Sequence, residues 1–435
     1  MSARPGSRLG VFLNQERLGE IERRGPSRYR FSYTKDVLER YEEGTTVLSA
    51  SLPVRRSAFS PGESAPFFEG LLPEGAVRAS IARSFRLSEE DGFGLLDALG
   101  ADCAGAVEIL PPGTQPAQPG GGRYRILRVD ELDRLIRDLP RNPLGVDPKP
   151  DGVRLSLGGV QHKLVLARFR YQGIVLPPSP LSQFRQPLDG APSDCLLKPE
   201  FGQYEDLVAN EAFCMHVAGY VGLEAAWAQE ILVGSTPCLY VERFDRTHDS
   251  RGLLTRIHQE DMCQALGLPP AAKYEESGGP SVLAIVELLR VLRGPQMARD
   301  VNDFVHAVLL NFLLGNSDAH GKNFALLYEP GNGARLAPLY DIVSTCVYPE
   351  VTDRMAMAIG GVNDPARVDI AAWRRLAEEC GFGGGIVPVI RRRATAIVRG
   401  VEACRDITQK SGRHRPVIDA IVDICRKRAA QLTAD

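Results

Sequence analysis

Asp318, Asn323 and Asp341 are the residues of this chain whose types and spacing could do chemistry together. In Asp318-Ala-His-Gly-Lys-Asn323 an acid precedes an amide by five positions, and a second acid, Asp341, follows in APLYDIVS. One carboxylate to orient a hydroxyl and two oxygen ligands for Mg²⁺ form the set that phosphoryl transfer needs. That reaction asks the protein for positioning and charge neutralisation, with little covalent work. The spacing therefore predicts an ATP-dependent phosphotransferase, with Asp318 as base and Asn323 and Asp341 as Mg²⁺ ligands. Lys198, closing the apolar run Cys195-Leu-Leu, would reach the phosphates from the end of a strand. Glu211 on the following helix is its candidate ion-pair partner.

Each of these residues also has a plainer reading. After Gly315-Asn316-Ser317, an isolated Asp is ordinarily a turn or cap residue; the apolar helix before it and the strands after it favour chemistry. His320 has no second His or Cys beside it, which makes it an ATP contact or a scaffold residue rather than a metal ligand. Gly315 to Lys322 differs from a Walker A loop, with five residues between its glycines and Asn323 where Ser or Thr belongs. Ser156-Leu-Gly158-Gly159-Val160-Gln161-His162-Lys163 lies between expected strands. A double glycine there is usually a hairpin turn, but in this company its amides suit phosphate oxygens.

The elements that must position these groups follow from periodicity. VFLNQERLGEI and YRFSY read as an antiparallel hairpin, and 65–71 and 89–99 as helices. Pro111 to Gly122 reads as linker, followed by a soft region from Asp138 to Gly152. Strands are expected at 153–156, 163–170, 173–176 and 195–198, interrupted by a proline-rich excursion at 177–192. A helix over 205–221 and a hairpin over 231–243 come next. Helices follow at 282–292, 301–314, 371–380, 387–404 and 416–432, with strands at 324–328 and 335–337. The order makes an α+β, bilobal, protein-kinase-like fold, with a mixed N-terminal subdomain, a strand-rich lobe and an all-helical C-terminal lobe. The expected divisions are 1–110, a connecting segment 111–152, a nucleotide-binding region 153–250 and a catalytic region 251–435.

Composition narrows the class. Lys and Arg total 52 against 54 Asp and Glu, a net charge of −2, so no global basic excess drives nucleic-acid binding. Local clusters at Arg391–Arg393, Arg413–Arg415 and Arg426–Arg428 read as solvated helix faces or as a DNA contact shared with a partner. Nine cysteines without metal-ligand or CxxC spacing suggest a reducing compartment. No segment reads as a signal or a membrane span, so a cytoplasmic protein without membrane partners is expected.

The motifs SLGGVQHK at 156–163, VERFDR at 241–246, RIHQEDMCQALG at 256–267, KYE at 273–275, GNSDAHGKNF and LYDIVS together resemble the HipA family. FFEGLLPEG at 67–75 resembles that family's N-terminal module. HipA proteins are serine/threonine-kinase toxins of bacterial toxin–antitoxin pairs, and the resemblance spans nearly the entire chain. It implies a catalytic Asp318, Mg²⁺ ligands Asn323 and Asp341, and a phosphate-contacting Lys198. It also implies a phosphate loop of Gly158, Gly159, Val160, Gln161, His162 and Lys163, and a hinge, Glu242, Arg243 and Phe244, whose backbone would meet adenine. His320, Lys322 and Tyr340 become further nucleotide contacts, and Ser156 the autophosphorylated serine. ATP and Mg²⁺ are the implied cofactors. A HipB-like helix-turn-helix antitoxin, operator DNA through it, and a translation protein such as a glutamyl-tRNA synthetase are the implied partners. The chain departs from its relatives at His162, where an acid is frequent, and at Ala319. A catalytically weak corepressor and a small-molecule kinase stand as alternatives.

Overall fold

The structure, a computed structural model, describes residues 7–118, 121–145, 156, 158, 161–168, 170–171, 174–175, 184–202, 204–292, 296–329, 333–383 and 385–433. It divides into two compact units, residues 1–199 with 231–270, and residues 200–230 with 271–435.

The first unit opens with a meander of β1 (Arg8–Leu13), β2 (Glu16–Gly25) and β3 (Arg28–Tyr33). Asn14 and Gln15 turn β1 into β2 with φ of 47° and 73°, the left-handed pair that a two-residue hairpin turn requires. β4 (Val107–Leu110) pairs with β1, giving the order β3-β2-β1-β4. Helices α1 (Lys35–Arg40), α2 (Pro61–Gly70), α3 (Gly75–Ser84) and α4 (Gly92–Leu99) share a core with this sheet. Tyr29, Phe31, Phe59, Phe67, Phe68 and Phe93 fill it, and such rings dominate burial energy. The expected hairpin and both expected helices are there; α3, with only three buried residues, shows too thin an apolar stripe to be read from sequence.

A second sheet in this unit has the order β11-β12-β10-β6-β9-β5. Its strands are β5 (Arg123–Ile126), β6 (Leu164–Arg168), β9 (Phe184–Leu188), β10 (Cys195–Pro199), β11 (Ala228–Val233) and β12 (Thr236–Glu242). β7 (Arg170–Tyr171) and β8 (Ile174–Val175) pair with each other. Helix α5 (Val129–Asp138) packs Leu132 and Ile136 against Leu166, Leu197 and Tyr240 of the sheet.

Two expectations change here. The stretch 111–152, read as linker, contains β5 and α5. The 177–192 excursion contains β9, whose Pro187 lies beyond the two residues that pair with β6, so its missing N–H leaves that ladder intact. The expected strand at 153–156 lies outside the described residues except for Ser156, which is irregular.

The first unit closes with the hairpin β13 (Arg246–His248) and β14 (Leu254–Arg256), then β15 (His258–Asp261) and α7 (Met262–Ala265). This last stretch, the QEDMCQALG signature, clasps the N-terminal sheet region. Glu260 accepts from Ser49 Oγ at 2.5 Å and Ala50 N at 2.9 Å, and Gln264 Nε2 donates to Phe67 O at 2.9 Å. A Cβ on Gly70 would stand 2.6 Å from Gln264 Cγ, so that approach needs glycine.

The second unit is helical. It contains α6 (Leu207–Tyr220), α8 (Val282–Leu292), α9 (Met297–Leu314), α10 (Ile370–Glu379), α11 (Ile386–Lys410) and α12 (Pro416–Thr433), with one hairpin of β16 (Ala325–Glu329) and β17 (Gly333–Leu336). The helices and both strands match sequence expectations to within about four residues, except that α11 continues six residues past its expected end at Cys404. α9 has twelve buried residues among its eighteen. Among the described residues no helix is long and apolar enough to cross a membrane. All nine cysteines are free, and only Cys346 is not buried.

Candidate active site

α9 delivers the 318 loop. Its cap, Gly315, holds φ +80°, and a Cβ there would meet Ile424, Ser344 and Cys346 at 3.0–3.2 Å. Behind the loop a ladder of amides fixes the backbone. Asn311 donates to Ala307 O at 2.9 Å, Asn316 donates to Asn311 Oδ1 at 2.7 Å, and Asp318 N donates to Asn316 Oδ1 at 3.0 Å. Ser317 N bonds Thr345 Oγ1 at 2.8 Å, and Ser317 Oγ bonds Asp353 O at 2.9 Å. Buried side chains that saturate each other in this way leave the backbone one conformation.

The result is selective exposure. Asn316, Ser317, Ala319, His320 and Gly321 are buried, while the Asp318 side chain is 49% exposed. Tyr274 donates its hydroxyl to Asp318 Oδ1 at 2.6 Å, and His320 Nε2 lies 4.0 Å from Oδ2. Asn323 donates Nδ2 to Asp318 O at 2.8 Å, which leaves Oδ1 as the atom able to ligate a hard cation. Tyr340 donates its hydroxyl to Lys322 O at 2.7 Å. Two bonds thus link 318 to 323 and 322 to 340, and bring the segment of Asp341 to the loop.

Asp341 sits at φ +59°. Asp tolerates the left-handed region better than most residues, but it is still a costly conformation that surrounding structure must enforce. Three residues on, the segment is anchored by Asn210 of α6, whose amide brackets Ser344: Ser344 N donates to Oδ1 at 2.9 Å and Nδ2 donates to Ser344 O at 3.0 Å. Asn210 is fully buried, and its role had no sequence signal beyond a polar residue within an apolar helix.

In the first unit Lys198 is buried on the interior strand β10, opposite Leu239 of β12. Lys163 donates Nζ to Gly158 O at 2.6 Å, closing the glycine loop on itself. Gln161 and His162 are half-buried, and burial pulls the His162 imidazole below its ordinary value. Gly159 and Val160 lie outside the described residues. Ser156 is fully buried; its amide donates to Asp102 O at 2.9 Å and its hydroxyl to Leu71 O at 2.6 Å. Glu211, in the second unit, is buried.

The expected hinge is more heavily engaged than its motif suggests. Arg243 N donates to Asp194 O at 2.9 Å, and its guanidinium is buried against Asp245, Ser193 Oγ and Cys103 O at 2.8–3.0 Å. The amide and guanidinium of Arg243 are thus both engaged within the first unit. Arg246 and Arg256 complete the cluster by donating to Asp102 Oδ1 at 2.9 and 3.2 Å. Despite burial, which opposes ionisation, these arginines hold the Asp102 and Asp245 carboxyls below their usual range.

A β-rich unit whose interior strand carries a buried lysine, and a helical unit whose buried loop presents one half-exposed carboxylate, make a mixed α/β architecture. The family model "HipA-like C-terminal domain" matches residues 155–408 and "HipA N-terminal domain" matches 9–110. The chain belongs to the HipA family. It is 38% identical over 427 residues to "Putative kinase Y4mE" of Sinorhizobium fredii, covering 96% of this chain and 95% of that one. It is 31% identical to "Serine/threonine-protein kinase toxin HipA" of Shewanella oneidensis over 364 residues, 81% of this chain and 77% of that protein. The solved complex of Shewanella oneidensis HipA, HipB and operator DNA matches with a TM-score of 0.74 at 26% identity, covering 98% of this chain and 95% of that one.

Proposed function

We propose that this chain is an ATP- and Mg²⁺-dependent protein serine/threonine kinase that acts in the cytoplasm as the toxin of a toxin–antitoxin pair. The observation that carries the reading is the half-exposed Asp318 carboxylate, aimed outward from a loop whose flanking side chains are buried. Asp318 is the base: the substrate hydroxyl oxygen bonds the γ-phosphorus as the bond to ADP breaks, and the hydroxyl proton passes to the carboxylate. Asn323 Oδ1 and Asp341 would hold the metal. When bound, Mg²⁺ supplies charge neutralisation at the phosphate oxygens. Lys198 and Gly158 to Lys163 contact the phosphates, Glu242 to Phe244 offer backbone to adenine, and His320, Lys322 and Tyr340 flank the nucleotide.

The substrate class is a protein of translation, such as an aminoacyl-tRNA synthetase, and Ser156 of the chain itself. Ser156 lies where a phosphate of nearly two negative charges could not be solvated. Its modification and its burial exclude one another, and phosphorylation should switch the enzyme off by keeping this segment out of place. The partners are a helix-turn-helix antitoxin and, through it, operator DNA.

The test is incubation with radiolabelled ATP and Mg²⁺. Label on Ser156 or a translation protein that disappears with Asp318→Ala supports the kinase. Label unchanged in that variant overturns the assignment of the base, and no label in the wild type, with antitoxin and operator binding intact, establishes a corepressor instead.

A further inference from the structure

Lys273, Tyr274 and Glu275 each reach the catalytic segments with a different chemical group. Lys273 O accepts from Gly321 N at 3.1 Å, inside the loop. The Tyr274 hydroxyl donates to Asp318 Oδ1 at 2.6 Å. Glu275 N donates to Ala356 O at 3.0 Å, and its Oε2 accepts from Ala358 N at 2.6 Å. Ala356 N in turn donates to Ser317 O at 2.9 Å. The tripeptide therefore splints the 318–323 loop to the 356–358 segment, all within the second unit.

We infer that Tyr274 is a positioning residue for phosphoryl transfer, whose hydroxyl fixes the rotamer of the Asp318 carboxylate and leaves Oδ2 to face the substrate hydroxyl. The inference rests on the kinase reading above. A distance of 2.6 Å is that of a hydroxyl donating to a charged oxygen, among the stronger hydrogen bonds in proteins. Asp318 is half-exposed, and without a partner its carboxylate would sample several rotamers. Small displacements of a reacting group cost large factors in rate. The ring is itself held, edge-on to His320 with centroids 5.2 Å apart. His320 is buried, so the hydroxyl is carried on a rigid arm.

The test compares wild type, Tyr274→Phe, Asp318→Asn and the double variant, measuring kcat, the KM for ATP and the melting temperature of the full chain. Phe keeps the ring and its packing. Losing one hydrogen bond to a charged group should lower kcat roughly tenfold to a hundredfold, with the KM for ATP and the melting temperature unchanged. In the Asp318→Asn background the same substitution should have no further effect, since Tyr274 acts through Asp318. An equal fold-loss in both backgrounds, or a loss that follows the melting temperature, overturns the inference. A faster Tyr274→Phe enzyme also overturns it and makes the hydroxyl a plug in the substrate's place. An inactive wild type instead defeats the kinase reading itself, and the two failures remain distinct.

Discussion

Two clusters of acids differ in how completely they are paired. Around Asp102 and Asp245, three arginines and Ser193 occupy the carboxylate oxygens, and every charged side chain named there is under 10% exposed. At Asp318 the carboxylate has a neutral tyrosine donor on one oxygen and stays half-exposed. Buried charges that neutralise one another hold structure and have no capacity for an outside proton. An acid held by a neutral group on one oxygen keeps its other oxygen open to solvent, which is what a base needs. The comparison separates a cluster that secures VERFDR to the N-terminal sheet region from a group able to do chemistry.

The contrast breaks most readily at the buried cluster. Asp102→Ala leaves three guanidinium groups without their shared acceptor and should cost about 3–5 kcal/mol of stability, read as a large fall in melting temperature. A variant that melts like the wild type would show that the cluster is dispensable. Asn210→Ala removes both bonds to Ser344, and a buried amide of this kind is worth about 1–3 kcal/mol. It should lower the melting temperature and, by freeing the segment of Asp341, reduce Mg²⁺-dependent transfer more than the fraction unfolded explains. A loss of transfer matching that fraction would remove Asn210 from the site.

Glu108 sharpens the comparison through pH. It lies 3.7 Å from Arg256, yet burial outweighs that charge and pushes its carboxyl from 4.5 up to about 7. The folded state therefore binds a proton that the unfolded chain releases, and stability is lost as pH rises from 4.5 through about 7. Glu108→Gln should gain on the wild type across that window, by at most roughly 3 kcal/mol, and a gap in melting temperature that stays constant with pH would contradict it. His258 runs oppositely. Burial lowers it to about 4, so its contribution is present above its ordinary 6.5 and is lost as pH falls toward 4. The smallest effect belongs to the exposed pair of Arg426 and Glu402, 2.6 Å apart. Such pairs are screened by water, and Arg426→Ala should leave the melting temperature unchanged.

Much of this was legible in the chain. Helices α8 to α12 show plain 3.6-residue periodicity, and Asp318, Asn323 and Asp341 stand out as acid, amide and acid at a spacing that phosphoryl transfer could use. What escaped depends on long-range packing. β9 hides behind Pro187, which locally signals a turn, and α5 sits in a stretch framed by Pro- and Gly-rich runs that mask its apolar stripe of Leu132, Leu135 and Ile136. Tyr274 lies 44 positions from Asp318, and no periodicity connects them. The VERFDR motif was visible, but its arginines could not be read as structural until Asp102, more than 140 positions away, was found beside them.

The assignment of Asp318 as base is tested most directly by the single-turnover rate of phosphate transfer from ATP in Asp318→Asn, measured beside its melting temperature. The expected result is a rate about 10²–10⁴-fold lower with an unchanged melting temperature. A rate within a factor of two or so of the wild type, in a variant that folds normally, would contradict it.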